Sequence, residues 1–291
     1  MNAARELVCK LGFWSGPVDP HPLTGGITNL NFRVRDGGAE YVVRIAEDIP
    51  VHQVMRFNEL AANRAAFHAG IAPEVVHAGP GVLVTRFIDA ATLTADRARD
   101  PAFIERFIPT LQKCHRDVPR HLRGPVLTFW PFHVVRDYAL RLTEDKSEHV
   151  AKLVPLMASA DVLEKAVGPI ELVFGHNDML AGNLMDDGKR IWMIDWEYAG
   201  FGSPLFDLSN FSSNNELSQV QERALLSAYF DHPADDALWH RYAAMKVASL
   251  LRETMWSMVS ERHSKIDHDY SAYTAENLAR FERAYDAFRS L

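Results

Sequence analysis

Between Phe174 and Glu197 the chain carries a carboxylate, a carboxamide and a second carboxylate arranged around one turn. The first part reads Phe174-Gly175-His176-Asn177-Asp178-Met179-Leu180-Ala181-Gly182-Asn183; the second reads Ile191-Trp192-Met193-Ile194-Asp195-Trp196-Glu197. Leu172-Val173-Phe174 is a short apolar run of strand character. Asp186-Asp187-Gly188-Lys189 holds an Asp-Gly turn signal between two further apolar runs. The spacing predicts a hairpin, with Asn183 entering one strand and Asp195 leaving the other. Pairing of those strands folds the intervening sequence back on itself. If the second strand persists, Asp195 and Glu197 face the same side.

Phosphoryl transfer needs these groups. One Asp, here Asp178, orients a hydroxyl and accepts its proton. An Asn and a second Asp, here Asn183 and Asp195, hold the Mg²⁺ that neutralises the β- and γ-phosphates, with Glu197 close enough to assist. A D-x-x-x-x-N on its own is an ordinary surface loop. With His176, the hairpin and the strand-terminal Asp195 in order, the segment points to a kinase of small molecules.

Composition sets the frame. At 291 residues the chain is long for one core and suits two lobes, 1–88 and 89–291. A net charge of −7 argues against nucleic acid as the main partner. Cys9 and Cys114 form neither a disulfide framework nor a metal cluster, which points to a reducing, cytoplasmic compartment. No run of 18 apolar residues is present, so no membrane span is expected. The first dozen residues read as a short amphipathic helix.

The first third reads as β-rich with one helix. Gly25-Gly26-Ile27-Thr28-Asn29 is a turn, after which Leu30, Phe32 and Val34 alternate with Asn31, Arg33 and Arg35. Asp36-Gly37-Gly38 is a second turn and residues 41–45 a further strand. A glycine turn between strands is often a plain hairpin turn. It also suits phosphates, because backbone amides approach closely there and Thr28 or Asn29 adds donors. In a kinase small lobe the strand that follows offers an apolar residue above the adenine and a cation for the phosphates two residues on. Val42 and Arg44 fit those roles; a solvated strand Arg is the alternative. Residues 52–67 read as a helix stopped at Gly70, with Glu59 in its middle and able to pair with Arg44. Residues 81–89 are an apolar strand turning polar, a hinge whose Arg86 and Ile88 backbone groups face the adenine edge. Beyond residue 90 the pattern is helical. Phe103, Phe107 and Leu111 share a face, and Pro109 is expected to kink or divide their helix. A long helix from about 236 to 263 is apolar on most faces and is expected to be buried. Asp207 either braces the catalytic loop or caps a helix.

Taken together, these stretches resemble the choline/ethanolamine kinases within the broader aminoglycoside-phosphotransferase-like group. The resemblance spans about 23–288. It rests on Gly25-Gly26-Ile27-Thr28-Asn29-Leu30-Asn31-Phe32, Asn58-Glu59, His176-Asn177-Asp178 with Asn183, Ile194-Asp195-Trp196-Glu197-Tyr198, and Phe206-Asp207-Leu208-Ser209-Asn210. It implies an α+β, two-lobed protein-kinase-like fold with ATP and Mg²⁺ in the cleft, and it adds Asn31 to the nucleotide side. It implies an acceptor pocket at Tyr198, Trp256 and Tyr273, where aromatic faces would hold a quaternary ammonium. Core packing is the other reading for these rings. Members often carry a second Trp one helical turn before the Trp256 position, where this chain has Glu253. Choline is the first expected acceptor, with ethanolamine, thiamine and an aminoglycoside as alternatives. A silent nucleotide-binding protein and a homodimer also stay open.

Overall fold

The computed structural model describes residues 2–23, 29–264, 266 and 268–291. The Gly25–Thr28 part of the glycine turn, with the nucleotide role expected of Thr28, lies outside the described residues.

The N-terminal part is a five-stranded antiparallel sheet. Helix α1 (Asn2–Cys9) precedes β1 (His21–Leu23), β2 (Leu30–Asp36) and β3 (Ala39–Ile45). After α2 (Arg56–His68) come β4 (Val75–Gly79) and β5 (Val82–Arg86), and the sheet order is β1-β2-β3-β5-β4. Side chains alternate across a strand. Phe32, Val34, Tyr41, Val43, Val82 and Val84 bury one face together with Val8 of α1. The register sets Asn31 opposite Arg44, Arg44 opposite Leu83 and Val42 opposite Thr85, and these five line a cavity on the other face. The β2–β3 turn uses Gly37 and Gly38 at φ 57° and 80°, left-handed values that suit a two-residue hairpin.

Helix α2 starts later than its sequence suggests. Residues 50–52 form a separate 3₁₀ turn, and His52 is buried with Nδ1 3.1 Å from the Tyr138 hydroxyl. The Asp48 carboxylate takes the Arg56 amide at 2.7 Å and opens α2 there. Glu59 therefore sits in the first turn rather than mid-helix, where a carboxylate also complements the helix dipole. Gly70 ends the segment at φ 77°. The buried face of α2, with Ala62, Ala65 and Ala66, joins the larger C-terminal core and not the core under the sheet.

The rest is mostly helical. A short β6 (Ala91–Thr92) and helix α3 (Ala95–Ala98) lead to α4 (Pro101–Arg116). Pro109 does not divide α4; the helix runs on through it. Proline removes one backbone donor, and the burial of Phe103, Phe107 and Leu111 on one face holds the helix together. Helices α5 (Pro131–Glu144) and α6 (Val150–Val167) precede β7 (Val173–Gly175) and the expected hairpin, β8 (Leu184–Asp186) and β9 (Ile191–Met193), with Asp186 opposite Ile191. Strand β10 (Gly200–Gly202) pairs with β7, and α7 (Pro204–Asn214), α8 (Gln219–Phe230), α9 (Asp236–His263) and α10 (Tyr270–Arg289) follow. Helix α9 packs against α5, α6, α7 and α10, which is why it is apolar nearly all round. No helix among the described residues is long and apolar enough to cross a membrane.

Candidate active site

The loop after β7 is held from beneath by α7. Asp207 is fully buried; its two oxygens accept the amides of His176 at 2.8 Å and Asn177 at 2.7 Å, and His115 Nε2 lies 2.9 Å away. Burial alone would raise the Asp207 carboxyl, but the His115 contact, the nearby His176 ring and the loop amide hold it below the ordinary carboxylate range. One helical turn on, Asn210 Oδ1 accepts the Met179 amide at 2.6 Å. Asp207 thus braces the loop, while Ser203 caps α7. The fit is tight: a Cβ on Gly175 would lie 2.7 Å from Asn177 Oδ1 and 3.1 Å from Asp207 Oδ2.

Asp178, on this braced loop, is held against Asn183. The Asn183 amide nitrogen donates to both the Asp178 carbonyl and its carboxylate, each at 2.9 Å. Its donor end is committed, and its oxygen is the end that can ligate a cation. His176 Nε2 donates to the Ile194 carbonyl at 2.9 Å and ties the loop to the segment carrying Asp195. That segment is not a continuing strand. Strand β9 ends at Met193 and Asp195 has φ 67°, so the expected i, i+2 alternation to Glu197 does not apply. Burial, reinforced by Asp195, pushes the Asp178 carboxyl up to about 8, with Arg252 pulling the other way.

Two arginines reach across from the sheet and α2. Arg44 Nη1 lies 2.6 Å from both Glu59 Oε1 and Asp195 Oδ1, with Nε 3.4 Å from Asn31 Oδ1. The Glu59 contact is the expected one; the Asp195 contact is not. Arg56 Nη1 lies 2.7 Å from Glu59 Oε2 and 3.1 Å from Glu197 Oε2, while its Nη2 donates to Asn29 Oδ1 at 3.0 Å. Asn29 Nδ2 in turn donates to Glu197 Oε2 at 3.0 Å. Burial and Asp195 raise the Glu197 carboxyl, and the two arginines oppose them. Arg56 escaped the sequence reading. Its signal was a cation in the first turn of a helix, against the dipole, three residues before Glu59.

A cavity of 540 Å³ opens between these groups and the sheet, within the usual range for a small-molecule site. Val42, Leu83 and Ile88 give it apolar walls, and Arg44, Glu59, Asn183 and Asp195 give it a charged end. Two hard oxygen donors meeting at one end suit Mg²⁺, and the apolar slot leading from them suits a nucleotide base. Asn29 and Glu197 are not among the described lining residues; they sit behind, in the arginine network. The Arg86 amide donates to the Glu74 carbonyl at 2.9 Å, so it is not free for an adenine edge as expected. Glu74, the residue just before the edge strand β4, takes it. The Ile88 amide makes no hydrogen bond among the described residues.

The aromatic residues from three segments do converge. Trp256 Nε1 donates to the Tyr198 hydroxyl at 3.0 Å, the Trp256 and Tyr273 rings meet edge-on at 6.4 Å, and the Tyr273 hydroxyl donates to Glu253 Oε1 at 2.8 Å. They do not line the 540 Å³ cavity. A cation of the protein's own, Arg252, lies 4.4 Å from the Tyr198 ring centre.

An antiparallel sheet over a mostly helical body, with a braced catalytic loop at their junction, defines a two-lobed, protein-kinase-like small-molecule phosphotransferase. Residues 19–245 match the model of the phosphotransferase enzyme family, and the chain belongs to that family. It is 26% identical over 288 residues to Protein LicA of Haemophilus influenzae, covering 94% of this chain and 80% of that one. It is also similar to a solved structure of a choline/ethanolamine kinase family protein from Mesorhizobium loti. There the TM-score is 0.77 at 29% identity, over 100% of this chain and 99% of the other. The choline kinase LicA from Streptococcus pneumoniae shares the fold, with a TM-score of 0.77 at 20% identity over 98% of both chains.

Proposed function

We propose that this chain transfers the γ-phosphate of ATP, with Mg²⁺, to the hydroxyl of a small amino alcohol, choline being the first acceptor to try and ethanolamine the second. The observation that carries the reading is Asn183, which lines the charged end of the cavity with Asp195 and donates to the Asp178 carboxylate at 2.9 Å. Bound Mg²⁺ would neutralise the β- and γ-phosphates. Asn183 and Asp195 would hold it, with Glu197 acting from behind through Arg56 and Asn29. Asp178 orients the acceptor hydroxyl and takes its proton. Arg44, on its strand next to Asn31, offers its guanidinium to the phosphates, and Val42, Leu83 and Ile88 wall the base. Tyr198, Trp256, Tyr273 and Glu253 form the acceptor side. The kinship with a choline/ethanolamine kinase family protein supports this acceptor class. An ADP-release screen over choline, ethanolamine, thiamine and aminoglycosides tests it; release with none of them, at substrate levels that saturate related enzymes, would reject the acceptor class.

Two substitutions probe the two ends of the site. Arg44→Lys keeps the charge but loses the planar fork. The KM for ATP should rise about tenfold, the equivalent of one charge-assisted hydrogen bond of about 1.5 kcal/mol. An unchanged KM would remove Arg44 from the phosphate site. Trp256→Ala should raise the KM for a cationic acceptor by roughly 2- to 30-fold, the loss of about 0.5–2 kcal/mol of ring–cation attraction. Because Trp256 is buried, the comparison is made with the KM for ATP in the same variant, which should stay nearly constant. If both constants move together, the ring is only packing.

A further inference from the structure

Arg252 is a buried cation in the middle of α9, 3% exposed, on the side of the molecule assigned above to the acceptor. Its Nη1 donates to Glu253 Oε2 at 3.0 Å. Its guanidinium carbon lies 4.4 Å from the centre of the Tyr198 ring and 5.9 Å from that of Phe129. Its Nε and Nη2 are buried and make no hydrogen bond among the described residues. An arginine cannot shed its charge, and buried donors without partners are costly. An arginine placed for packing alone would be expected to use them.

The two idle donors are adjacent. Nε–H and Nη2–H on one edge of a guanidinium point in parallel and match the two oxygens of a carboxylate. The other edge is already taken by Glu253, whose second oxygen accepts from Tyr273. The Tyr198 ring also offers one face to Arg252, so that face is not free for a quaternary ammonium. The Tyr198 hydroxyl accepts from Trp256 Nε1, so the guanidinium stands in the same aromatic cluster as the acceptor-side rings. The cluster therefore presents a carboxylate, Glu253, for an ammonium and a two-donor fork for an anion.

We infer that the acceptor alcohol is a zwitterion, a small hydroxylated amino acid or its N-methylated betaine, whose carboxylate sits on Nε and Nη2 of Arg252. The inference rests on the kinase reading above and replaces choline and ethanolamine by their carboxylated counterparts. Sequence alone carried a signal for it: Arg252 and Glu253 stand side by side in a helix that is apolar on most faces.

The test uses acceptor pairs that differ by the carboxylate alone: ethanolamine against serine, and choline against N,N,N-trimethylserine. ADP release by the full chain with Mg-ATP should favour the carboxylated member of at least one pair by about tenfold or more in kcat/KM. In Arg252→Gln that ratio should fall to about one, and Arg252→Lys, which keeps the charge without the fork, should fall between. A wild-type preference for the carboxyl-free member in both pairs overturns the inference and leaves the kinase reading standing. So does a ratio that Arg252→Gln leaves unchanged. Absence of ADP release from all four acceptors, with no calorimetric binding of either carboxylated one, also overturns it; the wider acceptor screen then judges the kinase reading separately. The wild-type comparison needs no variant, so a failure of Arg252→Gln to fold does not protect the idea.

Discussion

Asp178→Asn is expected to leave the chain folded and able to bind nucleotide while lowering kcat by about two to four orders of magnitude, the usual cost of losing a general base. The fold should survive because the loop does not depend on the Asp178 side chain. Its amides at His176 and Asn177 are held by Asp207, and that at Met179 by Asn210. The replacement keeps the shape and removes the ability to accept a proton. Its amide also faces the Asn183 nitrogen, which donates to the carboxylate at 2.9 Å in the native chain, so the local contact loosens as well. Steady-state ADP release alongside a thermal melt with and without Mg-ATP separates the two effects. Turnover near the native rate in a folded variant would strip Asp178 of its catalytic role.

Asp195→Ala should abolish the Mg²⁺ dependence of nucleotide binding and bring turnover close to background. The loss of metal-supplied charge stabilisation, several kcal/mol, corresponds to about two to four orders of magnitude in rate. Two local consequences must be kept apart from it. Asp195 has φ 67°, a conformation in which Ala is strained by about 1–2 kcal/mol. Arg44 also loses one of its two carboxylates but keeps Glu59. Asp195→Asn tolerates the backbone better and can still accept from Arg44, so it isolates the charge. Calorimetric titration of nucleotide with and without Mg²⁺ reads the answer. If both variants retain Mg-ATP affinity and activity, the metal is bound elsewhere.

What could be read in the sequence follows from the range of the forces involved. The 184–193 hairpin, β2, β3 and the bounds of α9 are local, set by turn residues and by the period of apolar positions, and they match the structure. The pairing of Arg44 with Glu59 followed from a strand cation facing a helix carboxylate in a kinase-like small lobe, and it is present. Other features depend on neighbours far along the chain. Asp207 braces rather than caps because the His176 and Asn177 amides, 31 and 30 residues away, reach its two oxygens. The short strands β6 and β10 have too few residues for a period and exist because β8 and β7 lie beside them. Of the Arg86 backbone groups expected at the adenine edge, the amide is taken by the Glu74 carbonyl, a partner that no local pattern announces. The left-handed turn at Asp195 broke a strand rule that holds only while the strand lasts.

The buried face of α2 has a mechanical consequence. The helix belongs to the N-terminal stretch of the chain, yet Ala62, Ala65 and Ala66 are welded into the larger core, while the sheet keeps a separate core with α1. The Arg44–Glu59 contact at 2.6 Å therefore runs from a strand of the sheet's core to a helix of the larger one, and it is a tie between two cores rather than a brace within either.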